Sequence, residues 1–456
     1  MAARRLTNCR EAQIPGYDAW LNAQQMRMTT SRIFLNQCSV LGHMYESYFI
    51  EYLGKIEEAK LHHGDPHQKR KYRIHVHKVI EENGDQFKPV WNKRLEAKLK
   101  SEKAKFDKYG RLYVFMGDES SLQGAWLMIA MKTAQAQEDW HVNGGVIQFV
   151  KAPTRSKLRN TFEALVCPTR RFHAAVHSDD SCLSIWIGGT LFTVNLDISS
   201  CDSSHGNQVF EAFLLLFPER WRQEARELLE QTKKDMVIRS FDDRKVKVTF
   251  RPQGYILPSG SVITTSVNTF IVYMIVWWIT RHHTLDAKQI EQSASSLGYI
   301  LTIENCDKPQ DIQFLKNSPA YDVEGRIQPL LNFGVCMRSS GICVRDLPGS
   351  GPWRPRAEAF QASYLHGMFP YVQTPILQTM MRACGGKPSK RATAQLIRDQ
   401  VFDKQINDEK TLLVFDPIQF LARYDLTSYE FSLVMEDFGN LGVGMSVQNS
   451  GCDKIL

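Results

Sequence analysis

The sequence predicts an α+β protein with an antiparallel sheet near its centre, and three observations lead there. Residues 172–198, FHAAVHSDDSCLSIWIGGTLFTVNLDI, alternate β-forming runs with two turn signals, His177-Ser178-Asp179-Asp180 and Gly188-Gly189. Helical patterns lie apart from these strands, at 121–136, 207–235 and 254–278. The last 110 residues are punctuated by Pro and Gly and then turn helical again. Hairpin-linked strands set beside separate helical segments are the α+β pattern.

Composition sets the outer bounds. A chain of 456 residues carries a prior of about three domains, or one large domain with subdomains. An apolar fraction of 43% with 9 Trp is ample for a packed core. The net charge of +7 is a mild hint of a polyanionic partner, and a solvated basic face accounts for it equally. None of the 10 cysteines forms a Cys-x-x-Cys pair, so no structural zinc site is indicated, and their apolar surroundings suit a reducing compartment. The opening MAARRLTNCREAQIP has no apolar core of a signal peptide. The longest apolar stretch, FIVYMIVWWI at 270–279, is too short to span a bilayer and reads as a buried helix.

Along the chain, KLHHGDPHQKRKYRIHVHK (60–78) is basic and contains His62, His63 and His67. The Gly-Asp-Pro turn between them favours an exposed loop over a metal site, and the loop is either RNA-facing or simply solvated. KRLEAKLKSEKAKFDK (93–108) reads as a charged helix. At KYGRLYVFMG a turn then delivers Arg111 into a strand, Leu112 to Phe115, with Lys105, Lys108 and Arg111 recurring every third residue. SLQGAWLMIAMKTAQA (121–136) reads as a buried helix. Residues 146–172 add a second basic strip: Lys151, Arg155, Lys157, Arg159, Arg170 and Arg171.

The two hairpins follow, as Phe172–Val176, Leu183–Ile187 and Leu191–Ile198. They carry Asp179, Asp180 and Asp197 at strand ends, with Asp202 just beyond. Clustered carboxylates repel one another unless a metal or a base neutralises them, so the stretch reads as a divalent-metal site on a small sheet. Asp197 and Asp202 are separated by an odd number of residues and would face opposite sides of a continuous strand. They share one site only if the strand ends near Ser199–Ser200 and the chain turns.

Short strands at 234–250 lead to GYILPSGSVITTSVNTFIVYMIVWW, a loop opening a long helix. Ser259-Gly260 falls at the helix start, where free N–H groups attract anions, and Thr264 and Asn268 share a face. After RHHT come a helix (285–298), a strand YILTIE and a hairpin at 307–316. A helical C-terminal region ends in an extended polar tail, FGNLGVGMSVQNSGCDKIL.

Taken together, these strings resemble viral RNA-dependent RNA polymerases. Asp197-x4-Asp202 resembles palm motif A, Ser259-Gly260-x3-Thr264-x3-Asn268 motif B, and Ser178-Asp179-Asp180 motif C with Ser for Gly. SSLGYILTIENCDKP (295–309) resembles motif D, QFLKN (313–317) motif E and KFDKYGRLYV (105–114) motif F. The order is C–A–B, as in the permuted polymerases of birnaviruses and permutotetraviruses, although those carry Asp-Asn where this chain has Asp179-Asp180. Two features support permutation. Only Gly188-Gly189 separates the C hairpin from motif A, and only RHHT separates the motif B helix from the next one.

The resemblance implies a right-hand polymerase with fingers, palm and thumb around an antiparallel palm sheet. Its parts would be an N-terminal extension and fingers (1–165), palm (166–206), a fingers insertion (207–253), palm again (254–335), and thumb with tail (336–456). It implies Asp179, Asp197 and secondarily Asp180 as ligands of two Mg²⁺ or Mn²⁺ ions. Asp202, Asn268 and Thr264 would recognise the ribose, Ser259-Gly260 would meet template and nucleotide, and Lys108, Arg111 and Lys105 would hold the triphosphate. Lys308 is the candidate general acid, with Lys316 competing. Implied partners are an RNA template, the nascent strand, ribonucleoside triphosphates and other viral replication proteins, in host cytoplasm or virion. Against this stand a phosphodiesterase or reverse transcriptase on similar acids, and an inactive RNA-binding scaffold. Asp202 with Asn268 argues for RNA, because a reverse transcriptase carries a bulky residue at the ribose gate.

Overall fold

The computed structural model describes residues 38–43, 45–46, 94–99, 112–116, 118–239, 247–281, 286–339, 346–368, 374–398, 414–416, 418–440 and 449–455. Lys105, Lys108, Arg111 and the histidines at 62, 63 and 67 lie outside these residues. The fold is mixed, with helices and several sheets. Its backbone packing divides into a first unit, residues 1–151, 176–181 and 196–303, and a second, residues 152–175, 182–195 and 304–456.

The described strands are β1 (Leu95–Leu99), β2 (Leu112–Phe115), β3 (Trp140–Val142), β4 (Gly145–Phe149), β5 (Phe172–His177), β6 (Asp180–Ile187), β7 (Thr190–Ile198), β8 (Met236–Arg239), β9 (Lys247–Phe250), β10 (Leu301–Asn305), β11 (Asn317–Tyr321) and β12 (Ile327–Leu331). They form a six-stranded sheet in the order β10-β7-β6-β5-β4-β3, a four-stranded sheet β2-β1-β8-β9, and the ribbon β11-β12. The two hairpins expected at 172–198 are therefore adjacent strands of the largest sheet. Asn143-Gly144 closes a further hairpin, β3–β4, with both residues at positive φ (50° and 78°), as this dipeptide favours.

In the first unit, the charged helix expected over 93–108 is replaced at its start by β1. Leu-Glu-Ala-Lys-Leu alternates apolar and charged residues, Leu95 and Ala97 are buried, and the strand pairs with β2 on one side and β8 on the other. Pairing on both sides outweighs the helix propensity of Leu, Glu, Ala and Lys. The helix α1 (Asp118–Gln137) is found where the sequence placed one. Helix α2 (Thr264–Thr280) is buried nearly all round, with Phe270, Ile271, Tyr273 and Met274 inaccessible, which explains its uniformly apolar sequence. Among the described residues no helix is long and apolar enough to cross a membrane.

The second unit is mainly helical and centres on Leu330, Phe360, Tyr364, Leu377, Leu396 and Val434. Three expectations change here. The main hairpin is β11–β12, whereas 307–316 hold a short 3₁₀ turn at Pro309–Asp311 and end in a two-residue turn, Leu315 and Lys316 at φ 51° and 64°, closed only by the antiparallel bridge Phe314–Asn317. The strands were hidden by Pro319 and Pro329, which stand opposite each other in a two-stranded ribbon whose outer edges need no N–H donor. The tail does not end extended: Ser450–Ile455 is helical and buries Cys452 in the core. The basic strip also does not present all its cations, since Arg155 is only 1% exposed.

Candidate active site

Asp179, Asp180, Asp197 and Asp202 all belong to the first unit, and two tight turns set their places in the chain. Gly188 and Gly189 both have positive φ (57° and 86°), the geometry of a two-residue hairpin turn. Counting inward from it places Ser184 opposite Thr193, Ser181 opposite Leu196 and Asp180 opposite Asp197. The Ser184 and Thr193 hydroxyls lie 3.0 Å apart, and Ser181 Oγ donates to Leu196 O at 3.2 Å, which fixes this register. Asp180 and Asp197 thus share a face as a direct cross-strand pair, with Cβ atoms about 5 Å apart by strand geometry.

At the other end of β6, Ser178-Asp179 makes the turn. Ser178 adopts φ 59°, a conformation that favours glycine, and its amide donates to Thr269 Oγ1 on α2 at 2.9 Å. The acidic tip is thereby tied to the middle of the buried helix.

Strand β7 stops at Ile198. Ser199 N donates to Ile300 O at 2.9 Å, Ser200 takes φ 54°, and the single turn α3 (Cys201–Ser204) follows, with Ser204 Oγ bonded back to Ser199 O and Ser200 O. The chain turns where the spacing of Asp197 and Asp202 requires. Asp202 is then held from two sides. Ser259 Oγ donates to one carboxylate oxygen, and Asn268 Nδ2 donates to the other at 2.9 Å.

The Ser259-Gly260 segment is a turn ahead of the helix, since α2 begins only at Thr264. The loop has its own anchors: Ser261 N donates to Pro258 O at 3.0 Å, and Val114 N of β2 donates to Ser259 O at 2.8 Å. Gly260 sits at φ 92°, and a Cβ there would come within 2.8 Å of Val114 O, so glycine is required twice over. The Thr264 hydroxyl donates to Pro258 O at 3.1 Å and closes the loop. Asn268 is only 1% exposed and lies behind Asp202, leaving the half-buried Asp202 as the group that faces outward.

Behind Asn268 lies a buried polar chain that no sequence signal marked. His205 Nε2 is 2.8 Å from Asn268 Oδ1, His205 Nδ1 is 3.1 Å from Tyr299 OH, and Cys201 Sγ approaches the imidazole at 3.8 Å. Burial pushes the His205 imidazole down from its ordinary value, against the opposing pull of Asn268, Asp202 and Asp179. Burial likewise pushes the Cys201 thiol up, and the charges of Asp179, Asp202 and Asp197 add to it. Three of the four acids therefore act on one buried point.

Among solved structures, the chain is similar to the RNA polymerase VP1 from Infectious Pancreatic Necrosis Virus and to the birnavirus VP1–VP3 complex. In each case identity is 12% and the TM-score 0.42, over 89% of this chain and 54% of the solved one. The chain thus spans about half the length of the structures it matches. No family model and no curated protein matches it.

The donor chemistry of Asp179, Asp180 and Asp197, all carboxylate oxygen, fits a hard divalent cation. Among the described residues, however, no three His, Cys, Asp or Glu side chains are grouped as a formed metal site. Lys308 and Lys316 belong to the second unit. The Lys308 ammonium stands 4.0 Å from Asp311, and Lys316 occupies the left-handed turn after Leu315.

Proposed function

We propose that this chain synthesises RNA on an RNA template from ribonucleoside triphosphates by nucleotidyl transfer. The supporting observation is the joining of three distant segments at Asp202. The carboxylate accepts from Ser259 and Asn268, while Ser178, beside Asp179, is anchored to Thr269, the neighbour of Asn268. These are the segments whose sequences resemble motifs A, B and C, and the hydrogen bonds give each a reason to be where it is.

In this reading Asp202 accepts a hydrogen bond from the ribose 2′-hydroxyl, and Asn268 and Ser259 hold the carboxylate in place for it. Asp179 and Asp197, with Asp180 secondary, would hold two Mg²⁺ or Mn²⁺ ions, whose chemistry is to acidify the primer 3′-hydroxyl and neutralise the triphosphate. Lys108, Arg111 and Lys105 would bind the triphosphate, and Lys308 or Lys316 would protonate the pyrophosphate.

The test is primer extension on a homopolymeric RNA template with Mg²⁺ or Mn²⁺, comparing the wild type with Asp197→Ala. Incorporation by the wild type alone supports the proposal. Equal incorporation by both proteins, or none by either, overturns it, and retained RNA binding in the second case would assign a scaffold. Preference for deoxynucleotides would assign a reverse transcriptase.

A further inference from the structure

We propose that His205 is a positioning residue for nucleotide selection, fixing the amide of Asn268 so that Asp202 is held ready for a ribose hydroxyl. The inference rests on the polymerase reading above and assigns a role to a residue outside its motifs.

The hydrogen-bond donors can be assigned along the whole chain. A carboxylate only accepts, so the group of Asn268 that lies 2.9 Å from Asp202 is its NH₂. Its carbonyl oxygen then faces His205, 2.8 Å from Nε2, so Nε2 carries the proton. Nδ1 is left as an acceptor and takes the Tyr299 hydroxyl at 3.1 Å. The direction is therefore Tyr299 to His205 to Asn268 to Asp202, in a neutral imidazole, and the burial that depresses His205 protonation favours the same state.

Without the Nε2–H donor, a flipped Asn268 would set its oxygen against Asp202 and lose the bond that orients the carboxylate. His205 and Tyr299 are 3% and 2% exposed, so neither meets substrate itself. The second proton of the Asn268 amide points toward Ser178 Oγ at 3.4 Å, so the same amide also touches the turn that carries Asp179.

The experiment measures kcat and KM for ATP and for 2′-deoxy-ATP on an RNA primer–template with the full chain. His205→Leu is expected to lower the ribose-over-deoxyribose ratio of kcat/KM about tenfold, the weight of one buried hydrogen bond, mainly through loss with ATP. His205→Gln, whose amide nitrogen can stand where Nε2 does, is expected to keep the ratio within about threefold of wild type. Tyr299→Phe removes only the hydroxyl that fixes Nδ1, keeps the ring, and is expected to lower the ratio about threefold even where His205→Leu does not fold.

A well-folded His205→Leu or Tyr299→Phe with an unchanged ratio overturns the proposal, as does a His205→Gln loss equal to that of His205→Leu. If the wild type extends and discriminates, such a result removes this inference alone. A wild type that extends with neither nucleotide removes the polymerase reading, and this inference with it.

Discussion

Asn268 Nδ2 stands 2.9 Å from Asp202 Oδ1, bridging 66 positions of sequence. Because Asn268 is buried and Asp202 half-buried, the pair divides labour: one orients and the other faces solvent.

Removing either member should affect sugar choice before chemistry. Asp202→Ala deletes the acceptor and is expected to lower kcat/KM for ribonucleotides by about ten- to a hundredfold while changing deoxynucleotide use little, because a site built to hydrogen-bond a hydroxyl discriminates by that bond. Asn268→Ala, which leaves the carboxylate in place but loosely held, should give a smaller loss in the same direction. Steady-state incorporation of paired ribo- and deoxynucleotides reads both.

The Ser178 turn stores strain that glycine would release. A non-glycine residue at φ 59° costs about 1 kcal/mol, and removing Oγ gives up only a long hydrogen bond, 3.4 Å from Asn268. Ser178→Gly is therefore expected to stabilise the fold by up to about 1 kcal/mol and to retain activity, since the amide bond to Thr269 is untouched. A thermal melt lower than wild type would show that the hydroxyl matters more than the backbone strain.

Gly260 offers the opposite case. A methyl group there meets Val114 O at 2.8 Å and forces alanine to φ 92°, so Gly260→Ala should cost about 1–3 kcal/mol or displace Ser259 from Asp202. Either outcome lowers incorporation. A melting curve beside an activity assay separates global destabilisation from a local shift.

Residues whose placement follows from local spacing were legible in the sequence, and those placed by distant neighbours were not. The Gly188-Gly189 turn, the strands on either side and the break after Ile198 all follow from period-2 alternation and turn chemistry, so the cross-strand placement of Asp180 and Asp197 could be read from spacing. Thr264 shares a helix face with Asn268 as their four-residue spacing requires, but the local use of its hydroxyl proton by Pro258 could not be read from that spacing. His205, Thr269 and Tyr299 were illegible because their roles depend on partners far away in sequence, and a His three residues after Asp202 looks like any polar loop residue. Leu95–Leu99 shows the same limit in the fold, where helix formers became a strand through neighbours on both sides.

His205 also sets an acid limit on stability. Its folded-state pKa lies below the ordinary 6.5, so the unfolded chain binds the extra proton first. Its contribution is complete above about 6.5 and is lost as pH falls below that value toward the folded pKa. Asp202 and Asp179 pull the other way, Asn268 accepts from the ring, and Cys201 and Tyr299 face it as neutral groups. Melting temperature should therefore fall as pH drops below about 6.5, and His205→Gln should flatten that part of the profile. An identical slope in wild type and variant would assign the acid sensitivity to other groups.

The cross-strand acids give a test of ion binding that does not need catalysis. Carboxylates directly opposite on one sheet face repel, and a divalent cation between them relieves this while stabilising only the folded state. Mg²⁺ at about a hundred times its Kd would add about 2.7 kcal/mol, which is readily seen as a rise in melting temperature. The wild type should show this rise and lose it on chelation. Asp197→Ala should show little or none of it, since the exposed Asp197 can be removed without opening the core. Equal shifts in wild type and Asp197→Ala would mean that the cation binds elsewhere. No shift in the wild type at millimolar Mg²⁺ or Mn²⁺ would mean that these acids do not hold an ion in the free chain.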